Sequence, residues 1–335
     1  MRDSPVDEPL RHHGDSEATP GLVDLAVNVY AGSRPPWLDA ALHRSIDEVG
    51  AYPSATAAEA ALTALHGRSV LATAGAAEAF SLVARLRPWQ LPVVVHPQFT
   101  EPHAALEQAG HAVTEVVLPA PFELDPALVP DDADLVVVGN PTNPTGVLHP
   151  AATIRTLLRP GRLVVVDEAF MDTVPREPES LAGDTDPGLL VIRSLTKHWS
   201  IPGVRAGYAL GSPDVVAQLR RGQVPWSLST TAVAAMIACA TDEASAESER
   251  RAHEIVEWRG ALEKGLADLG IEHVPSSASF VLARVGAGVH GRLREAGVAV
   301  RRADTFPGLD LEWVRIAVRP PAVSDLLLDA LSELR

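Results

Sequence analysis

Seven short β-branched runs, alternating with longer helical stretches, constrain this chain more than any other feature. They read SVLAT (69–73), PVVVH (92–96), AVTEVVL (112–118), DLVVVG (134–139), RLVVVD (162–167), LLVIRS (189–194) and VRAGYAL (204–210). Runs that are apolar at nearly every position bury both faces, and the helical crossovers between them permit parallel pairing. The spacing predicts an α/β fold whose large domain holds a seven-stranded, mostly parallel sheet flanked by helices. The last two runs lie too close for a helical crossover, so that pair is expected to be antiparallel. After Pro213 the pattern turns helical through PDVVAQLRRGQ, STTAVAAMIACAT and an amphipathic stretch over about 243–269. ASFVLARV (278–285), VAVRRA, EWVRIAV and a closing AVSDLLLDALSEL then predict a small C-terminal α+β domain. The expected division is an N-terminal arm over 1–40, a large domain over 41–225, and a helical link with the small domain over 226–335. Residues 1 to about 20 are polar and read as an extended arm.

A sheet of that size in a chain of 335 residues can hold an enzyme-sized pocket. The 28 Lys and Arg against 43 Asp and Glu give a net charge of −15, which argues against nucleic acid as the main partner. An anionic ligand must then be met by a local cluster of cations. The single cysteine, Cys239, lies in an apolar run and is expected to be a buried, inert thiol. That run is too short to span a bilayer. The opening MRDSPVDEPLRHHGDSE lacks the apolar stretch of a signal peptide, so a cytoplasmic protein without membrane contact is expected.

In open α/β sheets, ligands sit beyond the carboxyl ends of the strands. There the chain reads TAGAAEAF, HPQFTEPH, GNPTNPTG, VDEAF and RSLTKHW. Gly75, Ala76 and Ala77 form a small-residue turn into a helix, where free amides can meet a phosphate or simply close a tight turn. Asp167 ends a buried strand and calls for a cationic partner. A nucleotide-hydrolysing Walker site would also use such an acid, but the chain has no G-x-x-x-x-G-K-S/T. GAGVHG (286–291) has the form G-x-G-x-x-G, but the helix it opens is short and Asp304 arrives early for a dinucleotide site. No metal-ligand set is expected.

Lys197, in RSLTKHW, is one of only two lysines against 26 arginines. An arginine can pair or dissolve, but it cannot lose its proton and attack a carbonyl, so Lys197 is the candidate nucleophile. Lys264 instead lies on the polar side of an amphipathic helical pattern and reads as a surface ion pair. One cofactor uses all the pieces: pyridoxal phosphate needs a lysine, a carboxylate for its ring nitrogen, a stacking ring and a phosphate cup. Lys197, Asp167, Phe99 and the Gly75–Ala77 turn supply them in that order.

From about residue 24 to 333 the chain resembles fold-type I pyridoxal-phosphate enzymes of the class I/II aminotransferase superfamily. S-x-x-K with an arginine eight residues on is here Ser194, Lys197 and Arg205, and NPTNPTG resembles the family's NPxNPTG. The resemblance implies that Lys197 bonds the cofactor aldehyde. It also implies that Ser194, Thr196, Arg205 and the amides of Ala76 and Ala77 hold the phosphate, that Asn143 meets the 3-hydroxyl and that Phe99 stacks on the ring. Tyr52 resembles the tyrosine that reaches the cofactor phosphate of a neighbouring subunit, which implies a homodimer with shared active sites. Arg315 matches the arginine that forks a substrate carboxylate. Phe170, in DEAF, departs from the common DEAY and lacks the hydroxyl that would share the cofactor's 3-oxygen with Asn143.

Two subfamilies that take phosphorylated amino compounds fit this pattern. RHHGD followed by VDLAVNVY, which contains Asn28, and the ending VAVRRADTFPGLDLEWVRIAVR resemble threonine-phosphate decarboxylase of cobalamin biosynthesis. The leading expectation is therefore a lyase that converts O-phospho-L-threonine to 1-aminopropan-2-yl phosphate and CO2. Arg315 would grip the carboxylate; Arg301 or Arg302, with His13 and Asn28, would contact the rest of the substrate. The alternative is an aminotransferase acting on histidinol phosphate or a related amino acid.

Overall fold

The computed structural model describes residues 9–334, so the first eight residues of the expected arm lie outside the description. Among the described residues there are twelve strands: β1 (Val23–Leu25), β2 (Ser69–Thr73), β3 (Pro92–His96), β4 (Thr114–Val117), β5 (Leu135–Gly139), β6 (Leu163–Asp167), β7 (Leu189–Ser194), β8 (Gly207–Gly211), β9 (Glu272–His273), β10 (Phe280–Arg284), β11 (Val298–Arg302) and β12 (Trp313–Ala317). Seven of them form one sheet in the order β2-β8-β7-β6-β5-β3-β4. The four pairings that join β4, β3, β5, β6 and β7 are all parallel, and β8 runs antiparallel to both β7 and β2.

Period-two alternation divides the valines of this sheet between two cores. Val93, Val136, Val138, Val164, Val166 and Val191 face one layer of helices, whereas Val94, Val137, Leu163, Val165 and Ile192 face the other. Because both faces are covered, the strand sequences are apolar at successive positions. Burial of each such side chain stabilises the sheet by about 1.5–3 kcal/mol before entropy is counted.

Strand limits differ from expectation at two places. The run 204–210 becomes strand only at Gly207, because Pro202–Val204 form a 3-10 turn and Arg205 adopts a left-handed conformation with φ of 59°. The run 112–118 contracts to Thr114–Val117 at the sheet edge. Residues 9–16 are not simply extended, since they contain two 3-10 turns, Pro9–Arg11 and Gly14–Ser16.

The second sheet has the order β1-β11-β12-β10-β9, with β1 parallel to β11 and the other pairs antiparallel. Its core joins Leu25, Val281, Val300 and Ile316 to Ile255 and Leu262 of the helix Asp242–Asp268 and to Leu327 and Leu331 of the helix Pro321–Glu333. β1, which falls within the expected arm over 1–40, is thereby built into a sheet made otherwise of C-terminal residues. That closure brings residues 11–28 over the carboxyl ends of the large sheet.

Candidate active site

A cavity of about 700 Å³ opens at the carboxyl ends of the large-sheet strands, under a roof formed by the arm and by β11 and β12. His13, Asn28, Ala76, Ala77, Phe99, Asn143, Asp167, Ser194, Thr196, Lys197, Arg205, Arg301 and Arg315 all line it. These residues come from nearly every part of the chain, and the fold brings them to one place.

Ala76 and Ala77 begin the helix Ala76–Ala84, whose N-cap Gly75 has a φ of 82° and offers no side-chain cap. Gly75 does not itself line the cavity, but a Cβ there would sit 2.5 Å from Arg205 Nη2. Glycine thus allows the guanidinium to approach a helix N-terminus whose amides are free for an anion. Across that space Ser194 Oγ and Thr196 Oγ1 lie 2.8 Å apart. Two hydroxyls, one guanidinium and the first-turn amides make a built anion cup.

Asp167 ends β6 with its side chain buried at 8 % exposure. Among the described residues its carboxylate accepts a hydrogen bond from Ala169 N–H at 3.0 Å. Burial pushes the carboxyl up to about 7; the Ala169 amide and Lys197 oppose this, and neighbouring Glu168 adds to it. Lys197 moves the other way: burial, then Arg315 and Arg205, bring its amine down to about 8. An acid and an amine that both titrate near neutrality on one cavity wall mark a reactive site. They also form the test for the cofactor. A buried carboxylate without a cation fits a protonated ring nitrogen, a deprotonable lysine fits an aldehyde, and the anion cup fits a phosphate.

Arg315 reaches across from β12. Its Nη1 donates to Asn143 Oδ1 at 2.7 Å and its Nη2 to the Ala26 carbonyl at 2.6 Å. With its amide oxygen turned toward Arg315, Asn28 accepts from Nε at 3.0 Å and Nη1 at 3.1 Å. Burial first, then Arg301 and Arg319, lower the pKa of this guanidinium, so the spot favours an incoming anion. Arg301 is 1 % exposed; it donates to the His12 carbonyl at 2.6 Å and to Thr305 Oγ1 at 2.7 Å, tying the arm to β11.

Two expected residues lie elsewhere. Arg302 does not line the cavity: strand alternation turns it to the face opposite Arg301, where it meets Asp304 at 2.7 and 2.5 Å. That contact also engages Asp304, the acid that arrives early for a dinucleotide site. Tyr52 is 77 % exposed on the outer surface, its ring stacked 4.5 Å from that of Trp226. Phe170 lines the cavity, with its ring edge-on to Phe280 of β10 at 4.9 Å.

Sequence reasoning missed Arg11, Asp15, Glu101 and Phe306, which also line the cavity. Glu101 accepts from His13 Nε2 at 2.6 Å and from Arg11 Nη1 at 3.1 Å, holding the arm against the helix Glu101–Gln108. Glu101 opens that helix two residues after Phe99, and this nearness was the available signal. Lys264, by contrast, is an exposed partner of Asp268 at 2.5 Å, as its pattern suggested, and Cys239 is buried. No helix among the described residues is long and apolar enough to cross a membrane.

This fold and cofactor cradle define a fold-type I pyridoxal-phosphate enzyme. More particularly, the family model for aminotransferase class I and II matches residues 20–331, and the chain belongs to that family, with pyridoxal phosphate as its cofactor. A histidinol-phosphate aminotransferase of Mycobacterium tuberculosis is 48% identical over 318 residues, covering 92% of this chain and 87% of the relative. A threonine-phosphate decarboxylase of Salmonella typhimurium is 30% identical over 331 residues, covering 92% of this chain and 90% of the relative. The crystal structure of the histidinol-phosphate aminotransferase from Clostridium acetobutylicum superposes with a TM-score of 0.85 at 23% identity, covering 92% of this chain and 97% of that one. The more similar of these two relatives carries the name of the alternative expectation, so the comparisons back that alternative better than the leading expectation of a lyase.

Proposed function

We propose that the protein is an aminotransferase that takes a phosphorylated amino compound, histidinol phosphate or a close analogue, and passes its amino group to a 2-oxo acid. The 48% identity to a relative named for that reaction, over 92% of this chain, carries the reading. When bound, pyridoxal phosphate supplies an aldehyde for the substrate amine and a sink for the electrons released at the reacting carbon. The anion cup of Ala76, Ala77, Ser194, Thr196 and Arg205 holds its phosphate. Asp167 would hold a proton on the ring nitrogen, Phe99 would pack on the ring, and Asn143, held through its Oδ1 by Arg315, would have its amide N–H left to meet the 3-hydroxyl. Lys197, whose amine is lowered to about 8, is partly neutral near pH 7, and it would hold the cofactor through its aldehyde and serve as the base that takes a proton from the substrate.

Arg315 and Arg301 bring two buried guanidiniums to the roof side, which suits a substrate phosphate in one half-reaction and a carboxylate in the other. Decarboxylation of O-phosphothreonine is the second reading, favoured by Phe170, whose missing hydroxyl suits the decarboxylase group. The same reading includes a homodimer. Tyr52, Trp226, Val49 and Ile46 are each more than half exposed and give a second copy an apolar face, from which Tyr52 would reach the partner's phosphate cup.

Incubating the pure enzyme with histidinol phosphate and 2-oxoglutarate tests the proposal, with O-phosphothreonine alone as the second arm. Glutamate is expected in the first arm. Carbon dioxide from the second arm, with no glutamate from the first, would reverse the assignment.

A further inference from the structure

Behind the cavity, the same strand ends carry a second pair of residues. In the β6–β7 pairing Asp167 lies opposite Ile192, and Glu168 N–H donates to the Ile192 carbonyl at 2.8 Å. Asp167 and Ser194 face the cavity, while their chain neighbours Glu168 and Arg193 are absent from its walls and meet each other at 3.0 Å. Arg193 also grips both oxygens of Glu177, at 2.8 Å each. Ser180 Oγ at 2.7 Å and Leu181 N–H at 2.6 Å complete the shell around Glu168. Glu168 and Arg193 are 1 % and 7 % exposed.

A buried ion pair is a weak way to stabilise a core, because removing two charges from water offsets most of their attraction. Its position suggests another use. The pair joins the ends of the two strands that aim Asp167 and Ser194, and it leaves one more carboxylate than guanidinium behind the cavity. The groups packed around it do not cancel that excess. His66 is paired with the Tyr208 hydroxyl at 2.9 Å, and burial keeps its ring neutral by lowering it to about 4. Burial raises Asp172 to about 8, lowers His198 to about 3 and raises the Tyr208 phenol. Arg251 is paired with Glu247 at 2.8 Å. Burial raises Glu168 as well, and Arg193 opposes that rise, while Glu168 in turn raises its neighbour Asp167.

We propose that Glu168, held by Arg193, is a positioning residue that fixes the direction of the Asp167 and Ser194 side chains and places a fixed negative charge behind Asp167. That charge favours positive charge on the cofactor held in front of Asp167. The inference rests on the assignment of Asp167 to the cofactor ring. It concerns residues that touch neither cofactor nor substrate.

The test is a pH titration of the visible absorption of the bound cofactor, with melting temperature and cofactor affinity measured on the same holoenzyme samples. Removing a negative charge disfavours the protonated cofactor, so Glu168→Gln is expected to lower the titration midpoint by about half a unit or more, and to weaken cofactor binding several-fold. Glu168→Asp keeps the charge but shortens the reach; it is expected to lower the melting temperature with the midpoint held. If Glu168→Gln titrates like wild type while melting lower, the cluster is merely structural and the proposal fails. Should that variant not fold, Glu177→Gln at the half-exposed end of the cluster must shift the midpoint in the same direction by less, and an unmoved midpoint there is equally fatal. A wild type without visible absorption would remove the cofactor assignment and this inference together, whereas a normal wild type with an unmoved Glu168→Gln removes this inference alone.

Discussion

The large sheet carries a cleft at each end of its strands, and both clefts are lined by arginine. At the amino ends a groove of about 510 Å³ holds Arg87, Arg159 and Arg162 beside Trp89. Arg162 donates to the carbonyls of Ala133, Leu157, Pro130 and Asp131 at 2.7 to 3.0 Å. Arg87 lies 4.3 Å over the Trp89 ring and donates to the carbonyls of Asp134 and Gly161. Arg159 is bonded in the same way to Thr156 and Leu158. These guanidiniums tie loops together and have few donors left for a ligand. At the carboxyl ends, Asp167 and Lys197 face a cavity with their charge demands unmet by protein, and the first-turn amides of the helix Ala76–Ala84 are free. Volume and arginine content do not separate the two clefts; uncommitted polar groups do.

Three substitutions sharpen that contrast. Lys197→Ala should abolish turnover, by at least about 10³-fold, because no other side chain in the cavity can bond the aldehyde and carry the proton. Steady-state assay with the best substrate measures this, and retained activity would erase the distinction between the clefts. Arg162→Met should do the reverse. Several carbonyls lose a charged donor, so unfolding in denaturant should show a loss of about 2–4 kcal/mol, with kcat/KM unchanged. A selective fall in kcat/KM would mean that the amino-end cleft has a functional role after all.

The third substitution concerns stability at the reactive end. In the cofactor-free protein the Asp167 pKa is raised from 3.8 to about 7, chiefly by burial. A raised folded pKa contributes stability that is complete below the unfolded value and is lost as pH rises through the folded one. Cofactor-free wild type should therefore lose stability between about pH 4 and pH 7 relative to Asp167→Asn, by roughly 1–2 kcal/mol once relaxation and water entry reduce the ideal linkage. Melting curves of both proteins across that range measure it. Parallel curves would show that the carboxylate is already compensated without cofactor.

Much of the site was legible in the chain because its parts sit at strand ends. Valine runs locate the strands, strand ends locate the loops, and those loops carry Lys197, Asp167, Asn143 and the Gly75–Ala77 turn. The shortage of lysine made Lys197 conspicuous before any neighbour was known. Arg301 and Arg302 were not separable, because choosing between them requires knowing which face of β11 meets the cavity. Residues 9–16 were misread as simply extended, since two 3-10 turns of three residues each leave too short a pattern to detect.

By itself, then, the sequence determined the layered α/β architecture, the candidate lysine and the chemical kinds of group around it, because these follow from backbone periodicity and local loop composition. Only the tertiary structure decided that Arg315 would orient Asn143 from 172 residues away, that Glu101 would clasp the arm, and that Glu168 and Arg193 would pair behind Asp167. The values near neutrality for Asp167 and Lys197 belong to the same class. Desolvation and long-range contacts arise only when the chain closes, and no local pattern encodes them.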